Sequence, residues 1–297
     1  MGFNKRSTAE EVTEGLDLRD KTIVITGVNS GLGYESMRVL TQRGAHVIGL
    51  ARTLEKAQQA CAEVGGKTTA LACELSDLSS VVACAKQIQL LGMPVDVLMT
   101  NAGIMAPRKL GLAGDIEMQF ATNHLGHFVL IHNLLEQVKA AAAGRIVILS
   151  SAAHTMTVRG GIDFGNLDGS HGYDPWKFYG QSKLANLLTA RALTKRLEGT
   201  GVTANALHPG IIRTNLGRDA VGFLIRLMSI FAVFLEKNVP QGAATQCYVA
   251  THPDLDGVSG AYFSDCKKAR TSRYGQNDLL AEELWAASEQ MVQGYLD

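Results

Sequence analysis

The sequence has 297 residues, of which 46% are hydrophobic and 19% charged. At about 150 residues per domain, this length allows two domains or one large α/β domain, with a core that needs no covalent staples. The 28 basic and 28 acidic residues cancel, which excludes the basic excess of a nucleic-acid binder and, with this hydrophobic content, intrinsic disorder.

Residues 1–20 are charged and contain no apolar stretch of the secretory type. Seven short β-branched, apolar runs then follow: Thr22–Thr26, His46–Leu50, Thr69–Ala72, Val97–Thr100, Arg145–Leu149, Thr203–His208 and Gly260–Phe263. Helical patterns alternate with them at Leu32–Arg43, Leu54–Val64, Leu78–Leu91, Ile116–Ala142, Lys177–Leu197 and Gly242–Thr251. Most of the runs are apolar throughout, as in parallel strands covered on both faces. The alternation predicts an α/β chain: a single-domain, Rossmann-type doubly wound sheet of about seven parallel strands, with helices on both faces. Its ligand site is expected at the carboxyl ends of the strands.

Two stretches break this rhythm. His154–Pro175 is polar and Gly-rich. Arg213–Asn238 contains Val221–Leu235, in which Arg226 is the single charge. A long insertion in a compact domain is usually functional, so a substrate lid is expected around 213–238; a buried helix and a membrane-surface segment are the alternatives. No run of about 18 uncharged apolar residues predicts a spanning helix. The five cysteines, Cys61, Cys73, Cys84, Cys247 and Cys266, form no Cys-x-x-Cys pair, and the histidines show no metal-binding spacing. Neither a disulfide framework nor a metal site is expected, and a reducing compartment fits.

Thr26-Gly27-Val28-Asn29-Ser30-Gly31-Leu32-Gly33 joins the first strand to the first helix. Glycines at such a turn let the backbone approach a pyrophosphate, which then sits on a helix N-terminus. A carboxylate at the end of the second strand would bind a ribose 2′-hydroxyl and select NAD. Arg52 stands there instead, and a guanidinium suits the 2′-phosphate of NADP. Tyr179 and Lys183 lie four residues apart, on one face of a helix, where an ammonium can bring a phenol into proton-transfer range. That spacing also occurs on ordinary helix surfaces. Ser150-Ser151 ends the fifth strand and can hydrogen-bond a substrate oxygen. Thr100-Asn101-Ala102-Gly103 ends the fourth. Asn123 sits inside a helical pattern that it favours poorly, which points to a hydrogen-bonding role. His124 and His127, nearby, read as packed or exposed helix residues.

Together, Thr26-Gly27-x-x-x-Gly31-x-Gly33, Asn101-Ala102-Gly103, Asn123, Ser151, Tyr179-x-x-x-Lys183 and Pro209-Gly210 resemble the short-chain dehydrogenase/reductases over about Asp20 to Phe263. Asn123–Phe128, Ser150–His154, Tyr179–Asn186, Ala206–Gly210 and Gly257–Phe263 look most like the retinol dehydrogenase-like branch. The resemblance implies NADP(H)-dependent interconversion of an alcohol and an aldehyde or ketone, on a small hydrophobic substrate. A catalytically silent NADP-binding protein on the same fold is the alternative, disfavoured because the proton-transfer groups are present. Sugar epimerases and dehydratases are disfavoured by the glycine spacing.

By the same resemblance, Tyr179 is the general acid/base. Lys183 lowers its pKa and holds the nicotinamide ribose. Ser151 orients the substrate oxygen, with Ser150 the alternative, and Asn123 completes a proton relay. Thr26, Gly27, Asn29, Ser30, Gly31, Leu32 and Gly33 would hold the pyrophosphate, and Arg52 the 2′-phosphate. Glu74 and Leu75 would lie near the adenine, where the family usually has Asp-Leu. Asn101, Ala102 and Gly103 would line the adenosine side. Pro209, Gly210, Ile212 and Thr214 would shape the nicotinamide pocket. Many retinol dehydrogenases carry an N-terminal membrane anchor; residues 1–20 offer none, so a cytoplasmic protein is expected. The helical patterns Ile116–Ala142 and Lys177–Leu197 resemble those through which the family forms dimers or tetramers.

Overall fold

The computed structural model describes residues 2–212 and 237–296. The strands are β1 (Thr22–Thr26), β2 (His46–Ala51), β3 (Thr68–Ala72), β4 (Val97–Thr100), β5 (Leu112–Ala113), β6 (Ile116–Glu117), β7 (Arg145–Leu149), β8 (Thr203–His208), β9 (Tyr262–Ser264) and β10 (Lys267–Lys268). Eight of them form one sheet in the order β10-β9-β8-β7-β4-β1-β2-β3. The seven expected strands are all there and all parallel to their neighbours; β10 adds an antiparallel edge. β1 is buried at every position, as its unbroken apolar run predicts. The chain first winds outward from β1 to β3, then returns to β4 on the other side. That reversal opens a crevice beyond the carboxyl ends of β1 and β4.

The helices are α1 (Ala9–Val12), α2 (Gly31–Gln42), α3 (Leu54–Val64), α4 (Leu78–Leu90), α5 (Met118–Phe120), α6 (Gly126–Asn133), α7 (Leu135–Lys139), α8 (Pro175–Arg196), α9 (Val239–Thr251) and α10 (Asp278–Val292). They cover the sheet in two apolar layers. One packs residues of α2 and α9 against one face, around Met37, Leu40, Ala243 and Cys247. The other packs α4, α6, α8 and α10 around Val81, Phe128, Leu188 and Leu284. All five cysteines are buried and unpaired. Among the described residues no helix is long and apolar enough to cross a membrane.

The single helix expected over Ile116–Ala142 is a correction. Ile116–Glu117 pairs with Leu112–Ala113 in a short hairpin. Glu117 then caps the next turn, its carboxylate accepting the N–H groups of Gln119 (2.9 Å) and Phe120 (3.0 Å), so the helix starts only at Met118. The following turn, Ala121–Leu125, is a π-turn, and a break at Leu134 separates α6 from α7. A π-turn inserts one extra residue into the helix and often marks a functional site; Asn123 is at its centre.

α10 has no counterpart among the predicted helices. It lies across α6 and α8, with the Trp285 ring edge-on to Phe128 at 4.8 Å between centroids. Arg196 stacks on Trp285 at 4.2 Å, and Ser288 Oγ meets His124 Nε2 at 2.8 Å. α10 thus packs on one side of the two helices that the resemblance linked to association.

Candidate active site

The turn after β1 is shaped by its neighbours. Gly27 has φ +75, and its N–H donates to Leu50 O on β2 at 2.7 Å. A Cβ on Gly33 would lie 2.3 Å from Gly27 O and 2.6 Å from Asn101 Nδ2. Only glycine lets α2 begin this close to the strand. Ser30 occupies the N-cap of α2, yet its side chain makes no cap hydrogen bond. The first N–H groups of α2 are left facing the crevice, as an anion cradle requires.

Thr26 ties this turn to the end of β4. Its Oγ1 accepts the N–H groups of Asn101 and Ala102, both at 2.9 Å, and its carbonyl accepts from Asn101 Nδ2 at 2.8 Å. The hydroxyl proton is therefore directed to its remaining partner, His127 Nε2, at 3.0 Å. The other ring nitrogen, Nδ1, faces the Asn123 carbonyl at 3.0 Å. A carbonyl can only accept, so Nδ1 carries the proton. Burial holds His127 down at about 4 and His124 at about 3, so both rings are neutral. The packed reading of the two histidines fits their burial. What the spacing did not reveal is that His127 joins the glycine turn to the π-turn of Asn123.

Asn123 braces a second junction. Its Oδ1 accepts Ile104 N–H at 2.8 Å, while Nδ2 donates to Ile104 O at 2.9 Å and to Ser182 Oγ at 3.0 Å. Ser182 in turn donates to Tyr179 O at 2.8 Å. The loop after β4 is thus fastened to α8, the helix carrying Tyr179 and Lys183. Asp174 caps α8 through the N–H groups of Trp176 and Lys177, with Pro175 in its first turn. The helix therefore begins two residues earlier than its predicted start at Lys177.

Tyr179 and Lys183 are both buried, with the Lys183 Nζ 5.8 Å from the Tyr179 ring centroid. Nζ donates to Leu149 O, the last residue of β7, at 3.1 Å. Burial pushes the Tyr179 phenol up to about 12, against a smaller downward pull from the Ser151 hydroxyl. Burial brings the Lys183 ammonium down to about 8. The two serines after β7 have different duties. Ser150 Oγ donates to Lys183 O at 2.7 Å and is buried. Ser151 Oγ, beside the phenol, accepts Ala153 N–H at 3.1 Å and keeps its own proton available. His154 supports this turn from behind: Nδ1 donates to Ser151 O at 2.7 Å, and Nε2 accepts Ser272 N–H at 3.1 Å.

The remaining expected cofactor residues that are described lie just after the carboxyl ends of β2, β3, β4 and β8. A Cβ at Gly103 would come within 2.9 Å of Asn123 Oδ1 and 3.5 Å of Lys183 Nζ. Asn101 Oδ1 is buried without a partner. Leu75 is buried, and a Cβ at Gly126 would lie 2.3 Å from its carbonyl. Arg52 and Glu74, read separately from the sequence, form an ion pair at 3.0 Å. Gly210 has φ +106 and packs on Lys237, and Ile212 bridges to Lys237. Pro209 begins this stretch directly after β8. Thr214 and most of the expected lid around 213–238 lie outside the described residues. The glycine cradle, the open helix end and the unpartnered Asn101 oxygen fit a dinucleotide laid across the strand ends.

A family model described as short chain dehydrogenase matches residues 21–221. Among curated proteins, the chain is 44% identical to "Short-chain dehydrogenase TIC 32 B, chloroplastic" from Brassica napus, over 98% of this chain and 94% of that protein. It is 39% identical to "Retinol dehydrogenase 12" from Mus musculus, over 94% of this chain and 89% of that protein. Among solved structures, an uncharacterised protein from Mycobacterium paratuberculosis superposes with a TM-score of 0.78 at 34% identity, covering 95% of this chain and 97% of that one.

Proposed function

The chain belongs to the short-chain dehydrogenases, an oxidoreductase family with retinol dehydrogenases among its relatives here, and from that premise we propose that it interconverts a hydrophobic alcohol and its aldehyde or ketone with NADP(H). One observation carries the reading: a buried phenol, Tyr179, has the Ser151 hydroxyl beside it and Lys183 one helical turn away. The hydrophobic substrate class is supported by the retinol dehydrogenase relatives and by the apolar composition of Val221–Leu235. Arg52, with no carboxylate in its place at the end of β2, supports NADP over NAD. A reducing compartment such as the cytoplasm suits five free, buried cysteines.

A bound nicotinamide supplies or accepts the hydride. The protein's own part is position and proton management. The turn from Thr26 to Gly33, with Asn29, Ser30, Gly31 and Leu32, offers backbone N–H groups to the pyrophosphate. Asn101, Ala102 and Gly103 would form the adenosine-side wall, with Leu75 toward the adenine and the Glu74 carboxylate turned to Arg52; Pro209, Gly210 and Ile212 would flank the nicotinamide end. In reduction, Tyr179 Oη gives its proton to the carbonyl oxygen, and Ser151 Oγ donates a hydrogen bond to that oxygen as charge develops. The Lys183 ammonium stabilises the phenolate left behind. Asn123 acts at one remove, holding the loop after β4 against α8. At about 12 the phenol keeps its proton at neutral pH, and the lowering expected from Lys183 is a correction: burial dominates, with only Ser151 pulling the other way.

Replacing Tyr179 with Phe removes the proton and little else. Turnover of apolar aldehydes and ketones should fall about a thousandfold, while NADPH titrated by nicotinamide fluorescence still binds. Retained turnover would overturn the assignment of Tyr179. Loss of binding in folded protein would move its role to cofactor positioning.

A further inference from the structure

β2 and β3 run side by side in register, with Ala51 opposite Ala72. Their carboxyl ends therefore deliver Arg52 and Glu74 to the same corner of the crevice. There Arg52 Nε meets Glu74 Oε2 at 3.0 Å. The carboxylate is held on its other side as well: Oε1 accepts from Ser76 N–H at 3.1 Å and from Ser76 Oγ at 2.8 Å. The Glu74 backbone is fixed too, its N–H donating to Ser80 Oγ at 3.1 Å. Arg52, by contrast, is 64% exposed along its side chain, and Glu74 30%. A long exposed side chain samples many rotamers unless something holds it. Here a braced carboxylate pairs with it by charge, its Oε2 nearest Nε; among the described residues the terminal amino groups make no hydrogen bond, which leaves them for a second anion.

We propose that Glu74 is a positioning residue for cofactor choice: braced by Ser76, it fixes the Arg52 guanidinium so that its terminal amino groups are presented to an adenosine 2′-phosphate. This rests on the NADP reading above and adds to it a residue that acts through Arg52. Two effects of opposite sign compete. Glu74 preorganises the arginine, which favours the phosphate. Its own negative charge lies near that phosphate, which disfavours it. At an exposed corner, solvent screens the repulsion, whereas orientation lost by the arginine is not recovered through solvent, so preorganisation dominates.

The test is a pair of titrations, NADPH and NADH, followed by nicotinamide fluorescence on the intact protein and its variants. Glu74→Gln keeps the size of the side chain and an oxygen for Ser76. It should weaken NADPH about tenfold and leave NADH nearly unchanged. Ser76→Ala, which touches neither Arg52 nor the crevice, should show a smaller change in the same direction. In an Arg52→Ala background, Glu74→Gln should change nothing further. If Glu74→Gln instead tightens NADPH or weakens NADH, the carboxylate acts as a repellent or as a ribose acceptor, and the proposal fails. If Arg52→Ala itself leaves the NADPH-to-NADH ratio unchanged, the NADP reading fails first. If Arg52→Ala collapses the ratio while Glu74→Gln does not alter it, Glu74 alone is excluded.

Discussion

The turn after β1 and the end of β7 face the same crevice, but they are built differently. The first is made of backbone. Its shape depends on the absence of side-chain atoms at Gly27 and Gly33, and its proposed ligand groups are peptide N–H donors at a helix end. The second is made of side chains, Tyr179, Lys183 and Ser151: Lys183 Nζ is held by Leu149 O at the end of β7, and the backbone carbonyls of Tyr179 and Ser151 are held by near neighbours in the chain, Ser182 and His154. A backbone site is rigid and intolerant of any added atom. A side-chain site can lose one group and keep its shape, so its members can be separated by substitution.

The sharpest way to break this contrast is Gly33→Ala. The new methyl group would sit 2.3 Å from a carbonyl oxygen that belongs to the turn itself. The turn must move, and both nucleotides should bind at least about a hundredfold more weakly, with a loss of about 1–3 kcal/mol in stability. Normal titrations of NADPH and NADH with this variant would mean the turn is soft.

Next in size is a comparison of the two serines. Ser151→Ala should lower kcat/KM for carbonyl reduction about a hundredfold at unchanged melting temperature. Ser150→Ala removes a buried hydrogen bond to Lys183 O. It should act mainly on stability, by about 1–2 kcal/mol. Steady-state kinetics and thermal melts on the two variants decide between them, and equal kinetic effects would merge their roles.

A third prediction concerns pH. Lys183 is held down at about 8 by burial. An amine with this pKa is charged at neutral pH and loses its charge as pH rises. In the free enzyme, kcat/KM for reduction should therefore be level near neutrality and fall about tenfold per pH unit above about pH 8. Lys183→Arg keeps its charge and should remove that fall. A profile identical to the parent's would assign it to another group.

The smallest effect is expected far from the crevice. Ser288→Ala on α10 leaves the His124 N–H without its acceptor. Stability should drop by about 1–3 kcal/mol, and kinetic constants measured below the melting temperature should not change.

The same contrast explains how much of the fold and the site is legible in the sequence. Parallel strands buried on both faces leave an apolar run, so all seven were legible, within a residue or two at their ends. The glycine turn was legible because close approach demands particular spacings. The helix over Ile116–Ala142 was misjudged because hydrophobic periodicity carries no mark of a residue whose own carboxylate caps the next turn, as Glu117 does. α10 escaped notice for a related reason: its buried face includes Ser288 among Leu280, Leu284, Trp285 and Val292. Arg52 and Glu74 were each singled out, yet their pairing arises from the β2–β3 register. His127 looked like ordinary packing because its value lies in two hydrogen bonds to residues on different elements. Relations across the sheet are set by topology, and local sequence does not encode them.

α10 has a consequence for how the molecule is made. Everything it covers, from Phe128 and His124 to Arg196, precedes it in the chain. During synthesis, at about 5–20 residues per second, those surfaces emerge tens of residues before their cover. The growing chain therefore carries an apolar flank from the time α8 forms until α10 has left the ribosome. Chaperone demand should peak in that interval, and a stop codon shortly before Asp278 would leave the flank exposed for the lifetime of the product.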